Sequence, residues 1–375
     1  MVIALVAVII FFYVSTGGKI LLPQNINSLI SQNGYVFVLG TGMLLCILTG
    51  GNIDLSVGSV IAFVGGIGAV MMDKGTNWVV AVIVMLAVGT LVGAMQGFWI
   101  AYVNVPPFIA TLAGMYAFRG LANVVLQGYT VNVGDSAFLK VFGGGADCYI
   151  PDFLGGGSLN MTCIIAGIAV VAIYVGMTLV GRANSKKNGY EVAPFAGEIV
   201  KLAIVSAATL WVTYKLASYK GVPTALLWIG GILLIYAYIT QKTTIGRYLY
   251  AVGGNEKATR LTGINTKRVY FLAYLNMGLL TGLAAILTIA RATSAQPTYG
   301  QGYEMDAIAA CFIGGASAYG GIGQVTGTVI GAVLMGVINM GMSIMGVDAN
   351  IQKMVKGLVL LFAVLFDVMS KKDKS

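Results

Sequence analysis

With 375 residues, 58% of them hydrophobic and only 9% charged, and a mean hydropathy of +0.88, the chain falls outside the composition of soluble domains. It has room for about ten to twelve helices of ~20 residues, each able to cross a hydrocarbon core of ~30 Å. The net charge of +9 comes from Lys and Arg clustered between apolar runs, with no basic stripe interleaved with aromatics, which argues against nucleic acid; the absence of histidine removes imidazole triads and most transition-metal sites.

The chain opens on an apolar run, 1–15, without the basic start and small-residue cleavage site of a signal peptide, and reads as a shortened first membrane helix. Further candidate spans follow near 34–49, 55–72, 78–101 and 107–126. Between the second and third, Gly50-Gly51-Asn52-Ile53-Asp54-Leu55-Ser56 breaks the helix. A carboxylate there must be paired, capping or wet, so Asp54 and Ser56 are read either as caps of a helix starting at Leu55 or as contacts to a translocated molecule. Pro106 and Pro107 start the next helix after a short turn, and Arg119, inside an apolar stretch, needs a carboxylate (Asp54, Glu304 or Asp306) or backbone carbonyls.

Loop 127–160 is acidic, with Asp135, Asp147 and Asp152 against Lys140. Spans near 161–180, 200–217 and 222–240 follow, the first ending in the basic group Arg182, Lys186 and Lys187. Cys46, Cys163 and Cys311 lie in apolar segments and Cys148 in a polar loop, with no C-x-x-C, so neither a disulfide framework nor a zinc site is implied.

Segment 241–268 is too long and charged for a turn and too short for a domain. Asn255 makes a good N-cap, Glu256 complements the helix N-terminus, Arg260 suits the last turn and Gly263 the left-handed stop, which specifies about two turns. The side formed by Ala258, Leu261 and Thr262 is too small to hold a core, so this helix lies either in another protein's groove or on lipid headgroups. Four more spans follow, near 269–290, 303–319, 326–345 and 354–369; several are short, and Glu304 and Asp306 open the second of them, so broken or re-entrant helices are expected. Gly89-Thr90-Leu91-Val92-Gly93-Ala94 recurs as Gly327-Thr328-Val329-Ile330-Gly331-Ala332, either an inverted repeat or two separate packing faces. The basic groups at 182–187, 242–268 and 371–374 are separated by even numbers of spans, which puts all three, and both termini, on the cytoplasmic side.

Four motifs in order carry a resemblance that runs nearly end to end. They are Thr49 to Gly58; Asn104-Val105-Pro106-Pro107-Phe108-Ile109-Ala110-Thr111-Leu112; Gly246-Arg247 with Ala251 to Asn255 and Leu261 to Ile264; and Tyr303-Glu304-Met305-Asp306 with Ala307 to Ala310. The chain resembles the permeases of ribose, xylose and galactoside ABC importers, and the resemblance implies an all-α polytopic bundle forming one transmembrane domain over 1–375. The charge pattern puts 127–160 on the periplasmic side, and by the resemblance 241–268 is the cytoplasmic coupling loop that docks on an ATPase, with Gly246, Arg247, Gly253, Gly254, Asn255, Glu256, Ala258, Arg260, Leu261, Gly263 and Ile264 as its contact set. Asn52, Asp54, Ser56, Phe108, Thr111, Tyr303, Glu304 and Asp306 become candidates for the pathway or gate. The stretch 182–240, a basic loop and two spans, looks like the insertion of the xylose and multiple-monosaccharide branch.

The implied function is inward passage of a monosaccharide of the xylose, glucose, galactose or arabinose class across the bacterial inner membrane. The implied partners are a second permease copy, a twin-cassette ATP-binding subunit and a periplasmic sugar-binding protein. No cofactor is expected on this chain, ATP and Mg belonging to the partner: Gly18-Lys19 is followed by Ile20, and Gly321, Gly323 and Gly327 miss the G-x-G-x-x-G spacing by one. Two other classes compete. An ion-coupled secondary sugar transporter would need coupling carboxylates at mid-membrane, for which Asp54, Glu304 and Asp306 are available, and a membrane enzyme would need a nucleophile paired with a base, which the sequence does not offer.

Overall fold

A computed structural model describes residues 1–155, 157, 159–189 and 195–372. Lys374 of the expected basic tail and residues 190–194 of the expected basic loop lie outside the described residues, as do 156 and 158 of the acidic loop. The elements are α1 (Val2–Ser15), α2 (Pro23–Gln32), α3 (Gly34–Leu48), α4 (Val57–Asp73), α5 (Trp78–Ala101), α6 (Pro107–Leu126), β1 (Val131–Asn132), α7 (Ser136–Phe142), α8 (Met161–Lys187) and α9 (Phe195–Ala217). They continue with α10 (Thr224–Lys242), α11 (Thr244–Gly254), α12 (Glu256–Leu261), α13 (Thr266–Ala292), β2 (Ser294–Ala295), α14 (Tyr303–Ile313), α15 (Val325–Ile344) and α16 (Ala349–Lys372).

Every apolar stretch read as a span holds a helix, and the chain is a polytopic helical bundle. Among the described residues seven helices are long and apolar enough to cross a membrane alone, and an eighth results if α2 and α3 form one bent span. The other expected spans are shorter or carry charge. The stretch 303–319 is helical only as α14, whose 11 residues cover about 16 Å at ~1.5 Å each, half a hydrocarbon core. It stops where Gly314 and Gly315 turn the chain, Gly315 with a φ of +84°. α4 starts at Val57, two residues later than expected.

The chain divides into two units, one made of Met1–Ile20, Leu29–Cys148 and Thr224 onward, the other of Leu21–Ser28 and Tyr149–Pro223. In the first, every residue of α3 is buried, and α13 packs on α3, α4 and α5. Lipid tails are as apolar as leucine, so such helices associate through close packing of small residues rather than by escaping water. A methyl group on Gly93 would overlap the Tyr274 carbonyl oxygen and lie 2.8 Å from Gly278 Cα, and one on Gly89 would lie 2.9 Å from Gly282 Cα. The second copy of that motif does the same between α15 and α14, with Gly327 against Gly314 and Gly331 against the Ala310 carbonyl. Both copies are therefore backbone-to-backbone packing faces. The antiparallel pairing of β1 with β2, Val131 opposite Ala295, ties the loop after α6 to the segment leading into α14.

In the second unit α8 and α9 pack along each other, with Gly167 against Thr213 and an Arg182–Glu198 ion pair. Large side chains such as Ile173, Met177 and Ile204 point outward on these helices, the pattern of a lipid-facing pair.

Candidate functional site

Two interrupted helices meet in the first unit. The break 49–56 leads into α4, and the segment 296–302 leads into α14; they touch through glycine, because a methyl on Gly58 would overlap the Gly300 carbonyl oxygen and one on Gly300 would overlap the Gly58 carbonyl. The Glu304 carboxylate stands at the same spot, Oε2 2.5 Å from where a Gly58 Cβ would sit. Asp54, almost fully buried, uses Oδ1 to accept from the Ser56 amide at 2.8 Å and from the Ser56 hydroxyl at 2.7 Å. Gln96 of α5 donates to the same Ser56 oxygen at 2.7 Å. A carboxylate answered by two donors, one of them tied to a neighbouring helix, is the arrangement that makes burial tolerable and fixes a chain break in one shape. Arg119 resolves in favour of carbonyls: its Nη1 donates to the oxygens of Pro297 at 2.6 Å and Tyr299 at 2.7 Å, which clamps α6 to the segment before α14.

Asp306 belongs to a different cluster. It has no exposed surface, and its Oδ2 accepts from the Tyr35 hydroxyl at 2.6 Å, Lys356 Nζ at 2.9 Å and Asn339 Nδ2 at 3.3 Å. Tyr303 stacks on Tyr35 with ring centroids 3.4 Å apart. Helices α3, α14, α15 and α16 are thus pinned on one carboxylate, which is ion-paired through Oδ2 while its buried Oδ1 has no hydrogen-bond partner among the described residues. The remaining expected pathway residues are dispersed: Thr111 is buried and donates to the Pro107 carbonyl of its own helix, and Phe108 is exposed. Asn52 lines a cleft described below.

Segment 241–268 is two helices, α11 and α12, where only one was expected. The Asn255 side chain caps α12 by accepting from the Ala258 amide at 3.0 Å, and Gly263 follows with a φ of +87°, the left-handed stop its position requires. α12 buries Thr259, whose hydroxyl donates to the Ala251 and Asn255 carbonyls at 2.8 Å, and presents Ala258, Thr262 and Leu261 outward, Leu261 at 90% exposure. Glu256, though exposed, accepts from Tyr270 at 3.0 Å and Thr266 at 3.2 Å at the start of α13. Gly246 is buried against the Ile239 and Thr240 carbonyls at the corner between α10 and α11.

The inner end of α11 is welded to the first break. Three side-chain-free segments meet there: a methyl on Gly253 would overlap the Leu48 carbonyl, one on Gly320 would overlap the Gly50 backbone, and one on Gly321 would lie 2.8 Å from Gly254 N. Leu48 also accepts from the Gly321 amide at 3.0 Å, and Gly51 faces the Ala318 carbonyl. Tyr250 donates to the Gly323 carbonyl at 2.8 Å, and burial pushes its phenol above the ordinary tyrosine range, which keeps it a donor. Beside α12 a cleft of about 550 Å³ is lined by Glu256, Arg260 and Ile264, by Asn104, Pro106 and Pro107, and by Asn52. A second groove of about 390 Å³ lies between α11 and the start of α13, and Arg247 lines a third cavity with Tyr250 and Gln324.

Sequence reasoning missed Tyr35, Gln96, Asn339, Lys356 and Asp367. Two of them left a signal, because a lone Lys and a lone Asp inside the otherwise apolar stretch 354–369 must find partners within the bundle.

A family model described as branched-chain amino acid transport system / permease component matches residues 25–147 and 153–364. The chain is 36% identical to the xylose transport system permease protein XylH of Escherichia coli over 374 residues, covering 99% of this chain and 92% of that protein. It is likewise 36% identical to XylH of Haemophilus influenzae, over 376 residues (99% and 96%), and 35% identical to the ribose import permease protein RbsC of Escherichia coli over 345 residues (92% and 85%). No solved structure matches it.

Proposed function

The chain belongs to this family of transport-system permease components, and from that premise we propose that it is the membrane-spanning subunit of an ATP-driven importer of a monosaccharide in the xylose and ribose class. The family description speaks of branched-chain amino acids, whereas the curated relatives by name serve xylose and ribose, and those relatives carry the choice of sugar.

One observation carries the mechanism: a capped helix that leaves Leu261 90% exposed while its supporting helix is welded through glycine to the end of α3, directly before the break at Asn52 to Ser56. A large apolar side chain held at the tip of a rigid element, with neighbouring grooves and basic Lys257, Arg260, Lys267 and Arg268, is an anchor for a partner protein. The partner is an ATP-hydrolysing subunit on the cytoplasmic side. Its motion enters through α12, and Gly253, Gly254 and Gly321 hand it to α3 and to the crossing of the two breaks, where Asp54, Ser56 and Glu304 line the pathway. Arg247, Ala258 and Ile264 complete the contact set, while Gly246 holds the corner behind it. Asn52, Phe108, Thr111, Tyr303 and Asp306 serve the pathway or gate, Asp306 as the carboxylate that fixes the helices around it.

A sugar has several hydroxyls, each costing roughly 2–7 kcal/mol to place unpaired in an apolar medium, so a polar route through the bundle is what the protein supplies. The complete transporter pairs two copies of this chain with a twin-cassette ATPase and an extracytoplasmic sugar-binding protein. Loop 127–160 faces that protein, and both termini lie in the cytoplasm of a bacterial inner membrane. The chain has no catalytic residues of its own and binds no cofactor; ATP and Mg sit on the partner.

Leu261→Glu tests the assignment in a reconstituted transporter. Sugar uptake should fall, and the ATPase should no longer co-purify. Wild-type values for both would remove the coupling role from α12.

A further inference from the structure

α16, a 24-residue helix outside the seven counted as spans above, carries its charges in a specific way. Its outward side is a continuous apolar surface that includes Met354, Leu358, Leu361, Phe362, Leu365 and Phe366, each 44–77% exposed. Its inward side carries Lys356 and Asp367. These two are eleven residues apart, three helical turns, so they share one face, within about 20° and about 16 Å from each other along the axis.

Each makes a polar contact across the bundle. Lys356 Nζ donates to the buried Asp306 Oδ2 at 2.9 Å, near the start of α14. Asp367 Oδ2 accepts from the Ala318 amide at 3.0 Å, in the turn that follows α14. That turn is the one whose Gly320 and Gly321 pack on Gly50 and Gly254, and whose Ala318 carbonyl faces Gly51. α14 itself packs along α16. The two charges therefore grip α14 at both ends, one at the carboxylate cluster and one at the glycine weld below the coupling helix.

We propose that α16 is a strut of the transport cycle and that Lys356 and Asp367 are its positioning residues, which make α14 follow the glycine weld as a rigid body. Without the lower contact, motion of α12 reaches the turn after α14 but is lost before Asp306 and Glu304. Without the upper contact, α14 moves but its carboxylate cluster no longer moves with α16. A charge on a membrane helix is costly unless it is paired, and here both partly buried charges of α16 meet that cost through contacts to α14 and the turn after it. The inference rests on the coupling assignment above, and it predicts a phenotype that a purely structural ion pair would not give: hydrolysis separated from transport.

The test uses the complete transporter in proteoliposomes, with xylose and ribose as the sugars offered and sugar-stimulated ATP hydrolysis measured alongside uptake. Asp367→Leu and Lys356→Met should each lower sugar moved per ATP by about tenfold or more, the scale of a typical coupling between sites, while stimulated hydrolysis stays within about twofold of wild type. Asp367→Leu alone decides the matter if Lys356→Met fails to assemble, because Asp367 lies far from the buried carboxylate. A wild-type ratio in Asp367→Leu, or an equal fall of uptake and hydrolysis, overturns the strut. Leu261→Glu run in parallel separates the two ideas: if it keeps its ATPase and its uptake, the coupling assignment fails, and if it loses them while Asp367→Leu keeps the wild-type ratio, only the strut fails.

Discussion

Gly58 and Gly300 are each in the way of any side chain on the other: a methyl on either would overlap the opposite carbonyl oxygen. This mutual exclusion is what lets the break before α4 and the segment before α14 cross at backbone distance, with Asp54, Ser56 and Glu304 gathered around the crossing.

Gly58→Ala should therefore cost about 1–3 kcal/mol or more through overpacking, because the nearest clash is with the Gly300 backbone, which cannot yield even if the Glu304 side chain moves aside. Gly300→Ala should cost more again, because its φ of +75° adds strain for any residue with a Cβ. Gly230→Ala in α10 meets nothing within 4 Å and should be neutral or stabilising by up to about 1 kcal/mol. Thermal stability of the three variants in detergent gives the ranking.

Breaking the buried pair by Lys356→Met leaves Asp306 without a cation and should destabilise by about 3–5 kcal/mol. Adding Asp306→Asn removes the stranded charge while keeping an acceptor for Tyr35, so the double variant should be more stable than Lys356→Met alone. Denaturation midpoints of wild type, both single variants and the double close the cycle; strict additivity would show that the two groups do not interact.

Arg119→Met should strand the Pro297 and Tyr299 carbonyls, at about 1–3 kcal/mol for each left unpaired. The local consequence is a looser segment before α14, seen as faster hydrogen exchange over 296–302 and lower sugar uptake. Unchanged exchange there would mean that the guanidinium clamps nothing.

Asn255→Ala should remove the cap of α12, a loss of about 1 kcal/mol, and Asn255→Asp should restore it because the acceptor oxygen is kept. In a helix of six residues that loss is enough to fray the element, so hydrogen exchange over 255–262 should rise and uptake should fall in the alanine variant only.

The local features of this protein were already written in its sequence. Hydrophobicity placed the helices, Asn255 and Gly263 bounded α12, and the glycine, asparagine and aspartate of 50–56 announced a break, because each of these is decided by a residue and neighbours within about one turn. The pairing of the charges was settled elsewhere. Asp306 was visible as an acid at the head of a helix, but its partners Tyr35 and Lys356 lie 271 and 50 positions away, and Arg119 reaches carbonyls 178 and 180 positions away. The length of α14 and the three-way contact of Gly253, Gly321 and Leu48 likewise depend on which backbones come together. Composition and spacing fix what a segment needs, a partner for a charge or room for a carbonyl, and only the packed bundle decides which of several distant candidates meets the need.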